Sequence, residues 1–366
     1  MKASFQTSFP DEKFWEAYQQ LWSNSKHRSP FQVRHFIYFL ANRYRNKLCI
    51  YQCFREGTLI GAAFFKKDKG SYTFLSEVKS DHNYFVLDQS CSSTELEFFF
   101  QQFFQEIKKR QWAFTLNNQP SWEEYMAPFI DAGEKSGLFW NNAPYSVCPT
   151  LKETSGQSLF ERFNQSRELR YRVNRMKNQQ EATFEVFRED EDLEEWVEAF
   201  CRLHILRWEN TTSPSRYIDP EQRSFLLNCL SAWIADRVLV RFSVKIGDGT
   251  RVGFVICLIQ NDTLIHHTTA YDDAYRKYSP GKALLHFIGE WMAEAALKNL
   301  DFGQGNEKYK YEFTNTEPIL NRIFISSPLK LPFILKAKIS RSIRDNEKLR
   351  KFFRERIKPL TQKVRS

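Results

Sequence analysis

Apolar and polar positions alternate most cleanly between residues 238 and 246. Val238, Val240, Phe242, Val244 and Ile246 fall on one side of an extended chain, as in a strand with one buried face. That run leads into Asp248-Gly249-Thr250-Arg251-Val252-Gly253 and then FVIC, which reads as strand, tight glycine turn, strand. The first half carries the same plan: KLCIYQCF, then Glu56-Gly57-Thr58-Leu59-Ile60-Gly61, then AAFF. After each hairpin a helical pattern precedes a short strand. In the first half these are residues 94–110 and WAFTL at 112–116. In the second they are residues 281–298, with Leu284, Ile288, Trp291, Met292 and Ala295 on one face, and LDFG at 300–303. Two units of similar plan predict duplication and an α/β (α+β) fold of mixed sheets flanked by helices. The expected division is residues 1–150, residues 151–330 and a basic helical tail at 331–366, with the boundary in the Pro/Ser/Gly-containing stretch 144–156. The segment 160–179 is basic on several faces and predicts a solvated helix joining the halves.

A length of 366 residues suits two domains, and 34 Phe with 42% apolar residues can fill two cores, which excludes a disordered chain. No window approaches 18 uninterrupted apolar residues, and the first residues lack the apolar stretch of a secretory signal. The seven cysteines include no CxxC pair and Cys49 and Cys53 have no nearby His, so reduced thiols in a cytoplasmic protein and no metal are expected. Charge is uneven. Residues 330–366 hold 13 Lys+Arg against 3 Asp+Glu, so the tail alone accounts for the net +9 and the rest is near neutral. That distribution argues against a nucleic-acid groove spread over the body. In the tail, Phe333, Ile334, Ile339, Ile343, Leu349, Phe352, Phe353, Ile357 and Leu360 interleave with basic residues, which suits either a helix lying on an anionic membrane, peripheral to its inner face, or a plain solvated terminal helix.

Three segments of the second half carry candidate chemistry. A helix over 193–208 continues its apolar stripe of Leu193, Trp196, Val197, Phe200 and Leu203 into His204 and Arg207, which must find partners or line a cavity. A strand through His266, His267, Thr268 and Thr269 runs into a loop ending in Ser279-Pro280-Gly281, which opens the next helix. Ser suits an N-cap, Pro the first turn, and Gly a close backbone approach. The free N–H groups there, with Arg276, Lys277 and Lys282, suit an anion such as a pyrophosphate. Finally, LDFGQGNEKYKYEF delivers Asp301, two turn-forming glycines, Gly303 and Gly305, then Glu307, Tyr309 and Lys310, just past a strand end.

In that order, LHILRW (203–208), Tyr271-Asp272 and Ser279-Pro280-Gly281 within YDDAYRKYSPG, and DFGQGNEKYK (301–310) resemble the acetyltransferases grouped under the CelD/BcsL label. These are a branch of the GNAT superfamily, similar to the FemAB-type double-GNAT aminoacyltransferases. Trp15 and Ser29-Pro30-Phe31-Gln32 extend the likeness into the first half, so that it covers about residues 10–325. The resemblance implies two tandem GNAT-like domains with the acyl-donor site in the second. Acyl-CoA would lie where the strands 264–271 and 300–303 splay apart. Its pyrophosphate would sit on the turn Arg276, Lys277, Tyr278, Ser279, Pro280, Gly281 and Lys282, which has one glycine where the usual Gln/Arg-x-x-Gly-x-Gly/Ala loop has two. The first half, with Ser92-Ser93-Thr94 before its helix and no glycine, would frame the acceptor.

The chemistry so implied is acyl transfer, by acetyl-CoA or another acyl-CoA, to an amine or hydroxyl of a saccharide or related cell-envelope metabolite. A backbone N–H of the 264–271 strand would stabilise the oxyanion. His204, with a side chain that titrates near neutrality, is the first choice for general base and Asp301 the second. Arg207, Trp208, Tyr271, Asp272, Gly305, Glu307, Tyr309 and Lys310 would position the acceptor. Two competing readings are a FemAB-like transferase drawing on aminoacyl-tRNA, with the tail and 160–179 holding RNA phosphates, and a non-catalytic scaffold in polysaccharide assembly.

Overall fold

The two hairpins become the centres of two sheets. The computed structural model describes residues 1–77, 80–154, 159–209, 211, 214–346 and 349. Its first sheet runs, edge to edge, β1 (Lys2–Gln6), β2 (Leu48–Arg55), β3 (Thr58–Asp68), β4 (Ser71–Phe74), β6 (Ala113–Pro120), β14 (Ile319–Ser326) and β7 (Phe139–Val147), with β5 (Val86–Leu87) set against β3. The second runs β8 (Thr150–Lys152), β13 (Asn299–Asp301), β12 (Thr263–Tyr271), β11 (Arg251–Gln260), β10 (Leu239–Lys245) and β9 (Thr183–Phe187). Among the described strands each sheet has one parallel pair, β4 with β6 and β12 with β13; the other neighbours are antiparallel.

Strand alternation sorts side chains into three cores. On β2, Leu48 and Ile50 face one way and Cys49, Tyr51 and Cys53 the other; on β11, Phe254, Ile256 and Leu258 oppose Val255 and Cys257. One core lies outside the first sheet, under helices Ser93–Arg110 and Met126–Lys135. Another lies outside the second, under helices Leu159–Gln165, Arg167–Gln180 and Pro280–Glu294. The third is common to both halves. Helices Glu12–Asn24 and Arg34–Arg43 of the first half meet Leu193–Trp208 and Pro220–Ala235 of the second, and Phe36 stacks on Trp233 at 4.8 Å between ring centres. Trp233 also donates to the Pro30 carbonyl at 2.9 Å, and Asp236 accepts from the His35 amide at 2.9 Å. A shared apolar core with buried polar ties fixes one half against the other.

The chain does not keep to the expected division at residue 150. β14, inside the span given to the second half, returns to the first sheet and separates β6 from β7, burying Ile323 and Ile325 in the first-half core. The segment 160–179 is likewise less solvated than its composition predicts. It forms two helices, and Leu169, Val173 and Met176, spaced four and three residues apart, bury a stripe against helix Pro280–Glu294 while the basic residues stay outside. Helix Leu331–Asp345 docks on β14 with Phe333 beside Phe324. The tail positions Phe352, Phe353, Ile357 and Leu360 lie outside the described residues. Among the described residues no helix is long and apolar enough to cross a membrane.

The repeated glycines Gly61 and Gly253 have one purpose in both halves. A Cβ at Gly61 would sit 2.6 Å from the Phe99 ring; one at Gly253 would sit 2.9 Å from Val244, 3.1 Å from Pro280 and 3.2 Å from Leu284. Each missing side chain lets the following helix lie close on its hairpin, and at Gly253 this seats the start of helix Pro280–Glu294. We expect Gly253→Val to lose about 1–3 kcal/mol of stability through overpacking, measured by urea denaturation. Gly249→Asn, at the open hairpin turn with φ +86° and nothing within 4 Å, is expected to cost far less.

Candidate functional site

β12 and β13 stay paired for three residues only, Thr263 opposite Asn299, Leu264 opposite Leu300 and Ile265 opposite Asp301. β12 continues to Tyr271, while the chain beyond Asp301 turns away at Gly303, whose φ of +69° favours glycine. On its other edge β12 carries a bulge. Ile256 faces Thr268 and Cys257 faces His266, so His267 is the extra residue. The bulge disturbs the alternation, and both His266 and His267 line the opening between the strands. This opening is a cavity of about 690 Å³. Helix Leu193–Trp208 lines it with His204, Arg207 and Trp208, the 302–313 segment with Phe302, Glu307, Tyr309 and Lys310 among others, and the turn before helix Pro280–Glu294 with Ser279, Pro280 and Gly281.

Of the expected donor residues, Arg276, Ser279, Pro280, Gly281 and Lys282 line the cavity. Ser279 is left-handed at φ +56° and does not cap the helix through its side chain, unlike the expected N-cap. Pro280 has no N–H, and the Lys282 and Ala283 amides return to the Ser279 carbonyl at 3.0 and 3.1 Å. The Gly281 amide makes no such bond among the described residues, and a Cβ there would meet nothing within 4 Å. A helix N-terminus with an open N–H and empty space above it can take an anion. Lys282 is less available than its charge implies, since its ammonium bridges Glu168 at 2.9 Å and Glu312 at 2.8 Å. Lys277 and Tyr278 do not line the cavity and support the turn from behind. The Lys277 carbonyl accepts from Arg175 at 2.9 Å, and the buried Tyr278 hydroxyl accepts from Gln180 at 2.9 Å.

Among the expected acceptor residues, Arg207, Trp208, Tyr271, Glu307, Tyr309 and Lys310 meet in the cavity. The Arg207 guanidinium lies 4.2 Å from the Tyr271 ring centre and 5.7 Å from that of Trp208. Lys310 is buried. It donates to the carbonyls of Gly303 and Gln304, both at 3.0 Å, and pairs with Glu307 at 2.9 Å, so it holds the loop after β13 in shape. Asp272 and Gly305 lie off the cavity: Asp272 caps the Ala274 amide at 2.9 Å, and Gly305, at φ +124°, donates to the Val147 carbonyl at 2.9 Å.

The two proposed bases are placed differently. His204 lines the cavity, with Nδ1 2.8 Å from the Ser215 hydroxyl. Asp301 does not line it. It lies buried at the root of the splay, accepts from the Gly303 amide at 2.7 Å, and stands 3.2 Å from His82 Nε2. His82 Nε2 is also 3.3 Å from the Cys148 sulfur, and the three ligand atoms lie within 4.8 Å of one another, a donor set that zinc accepts. Burial pushes the Cys148 thiol well up, with Asp301 and Asp81 adding to the shift, so without a metal the group is a hydrogen-bonded thiol. Burial lowers the His82 imidazole, but the hydrogen bond and charge of Asp301 raise it on balance.

The sequence reading missed Asp81. This first-half carboxylate reaches the second-half cavity, where Oδ2 stands 3.3 Å from His267 Nδ1 and Oδ1 accepts the Gln304 amide at 3.1 Å. Burial raises the Asp81 carboxyl, yet the His267 hydrogen bond and charge, His82 and the Gln304 amide outweigh it and leave the group below its ordinary value. His267 Nε2 makes no hydrogen bond among the described residues. His266 differs from its neighbour: burial, with the charges of Lys310 and His267, holds it down at about 4, so it is neutral near pH 7. The polar run Ser80-Asp81-His82-Asn83 in an otherwise aromatic half was the available signal.

Residues 164–311 match the family model described as acetyltransferase (GNAT) domain. Among solved structures the chain is similar to FemX, at 12% identity and a TM-score of 0.62, covering 92% of this chain and 99% of that one. It is also similar to L-PGS from Bacillus licheniformis, at 12% identity and a TM-score of 0.57, covering 90% and 97%. A conserved protein of unknown function from Bacteroides thetaiotaomicron matches at 10% identity and a TM-score of 0.57, covering 89% and 100%. No curated protein matches in sequence.

The depressed His266 carries a pH signature. Its stability contribution is present in full above the ordinary histidine value of 6.5 and is lost as pH falls from there towards about 4, because the unfolded chain takes up the proton first. Urea denaturation at pH 7.5 and pH 5 should show a smaller decline for His266→Leu than for the native chain; equal declines would place the titration elsewhere.

Proposed function

We propose that this chain moves an acyl group from acyl-CoA to an amine or hydroxyl of a saccharide or related cell-envelope metabolite, a reading supported by the match of residues 164–311 to the acetyltransferase (GNAT) domain model and by the fold shared with FemX. The observation that carries this reading is the Asp81–His267 pair at the bulge of β12, which lines the same cavity as the open N–H of Gly281. The donor's pyrophosphate lies at that helix start beside Arg276, and its pantetheine arm runs along the free edge of β12 towards the histidines. Trp208 offers ring surface to a sugar, and the Arg207 guanidinium, held over the Tyr271 ring, offers donors to its hydroxyls.

The acceptor N–H or O–H approaches His267 Nε2, which removes its proton while the nucleophile forms a bond to the thioester carbonyl carbon. The carbonyl oxygen gains negative charge and takes a hydrogen bond from an N–H of the unpaired β12 edge. The carbon–sulfur bond then breaks, and the proton held by His267 goes to the departing CoA thiolate. Asp81 fixes the ring through its contact with Nδ1, which leaves Nε2 turned to the acceptor. His204, held by Ser215 and lining the same cavity, orients the acceptor.

A second reading is favoured by the committed Lys282 and by the exposed basic groups Arg276 and Lys277 around the turn, beside Arg172 and Arg175. There the donor is an aminoacyl-tRNA, whose phosphates follow that basic surface. Calorimetric titration of acetyl-CoA into native protein and Gly281→Trp separates the two. Saturable binding that the variant loses supports the CoA donor, whereas no binding by folded native protein, with RNA retained through purification, supports the other. Under the first reading, His267→Gln is expected to lower kcat by about 10²–10⁴ with donor affinity unchanged. Asp81→Asn should cost less, and His204→Ala should act chiefly on the acceptor KM. A kcat loss confined to His204→Ala would restore His204 as the base.

A further inference from the structure

Helix Leu331–Asp345 is attached to the body by one side and leaves an apolar strip uncovered on the other. Ala337 is buried, Phe333 packs by Phe324, and Ser340 is half-buried, so positions 333, 337 and 340 face β14. The opposite side presents Leu331, Leu335 and Ile339 at spacings of four, 69%, 60% and 50% exposed, next to Leu329 at 77%. No other large apolar side chain among the described residues is as exposed as Leu329, Leu331 and Leu335. A solvent-facing helix side normally carries polar residues in the middle and tolerates apolar ones singly. Here the order is reversed: aliphatic residues form the centre, with Lys336 on one flank and Lys338 and Arg341 on the other, and Lys330 precedes the helix.

We propose that this face rests on an anionic lipid bilayer, with Leu329, Leu331, Leu335 and Ile339 dipping into the headgroup boundary. Lys336 and Lys338 extend their alkyl stems along the same apolar layer and place their charges among lipid phosphates. Charge selects this occupant. A second copy of the helix would bring its own lysines against these, whereas an anionic surface opposes the lysines on both flanks. Because the helix is fixed on β14, the bilayer would meet the side of the first sheet, and the reading does not depend on the transferase chemistry.

Co-sedimentation of the full chain with vesicles tests this, using phosphatidylcholine alone and phosphatidylcholine containing phosphatidylglycerol. Binding is expected only with the anionic lipid and should weaken as salt is raised. Leu335→Glu combined with Ile339→Glu, both exposed and outside the cores, should lower the partition coefficient about tenfold or more with the thermal transition unchanged. Lys336→Glu combined with Lys338→Glu should lower it similarly. Equal pelleting with neutral vesicles, or unaltered binding by either double variant, overturns the proposal. So does a native dimer in solution that Leu335→Glu converts to monomer, which would assign the strip to a second copy.

Discussion

The brief partnership of β12 with β13 is the constraint from which the site follows. A strand inside a protein normally has both edges paired, because buried amide and carbonyl groups without partners are costly. β12 has lost its neighbour after Ile265, and its opposite edge is interrupted by the bulge at His267. The free edge is tolerated because it borders a cavity large enough for water or a ligand. What lines that cavity has been brought there by elements anchored elsewhere: helix Leu193–Trp208 by the shared core, and the 303–307 loop by buried Lys310.

The two halves share a plan and fill it differently. Each has a hairpin with a glycine under the next helix and one parallel pair flanking a long strand. In the first half, aromatic packing fills the outer layer, with Phe99, Phe100, Phe103 and Phe129 gathered around Phe85. In the second, the corresponding separation is open and polar. The first half nevertheless contributes to that opening through Asp81, whose backbone neighbours Ser80 and Asn83 are tied to the Asn118 side chain and carbonyl. A carboxylate placed by one half and an imidazole placed by the other can hold their geometry only if the joint between them is rigid, which the common core supplies.

Much of this was legible in the chain because it is local. Periodicity located both hairpins, helix Leu193–Trp208 and the helix after Ser279, since a strand or an amphipathic helix records its buried face in residues two, three or four apart. The Ser279-Pro280-Gly281 turn and the residues after β13 were readable for the same reason. The Asp81–His267 contact was not, since it joins positions 186 apart and neither neighbourhood has a pattern that requires the other. Asp301 was misleading: a conspicuous carboxylate after a strand turned out to bind the next turn's amide and a buried histidine. The register slip that turns His267 into the cavity depends on β11 as well as on β12, so no single strand encodes it.

The insertion of β14 between β6 and β7 has a bearing on how such a chain is made. During synthesis β6 and β7, the strands on either side of β14, are complete at Val147, when β14 is still 172 residues away at Ile319. The sheet of the half translated first therefore cannot reach its final strand order until the second half has been made and β14 can be laid in. Birth order and completion order are opposed, and the ribosome releases two domains that were never separate beads on a string.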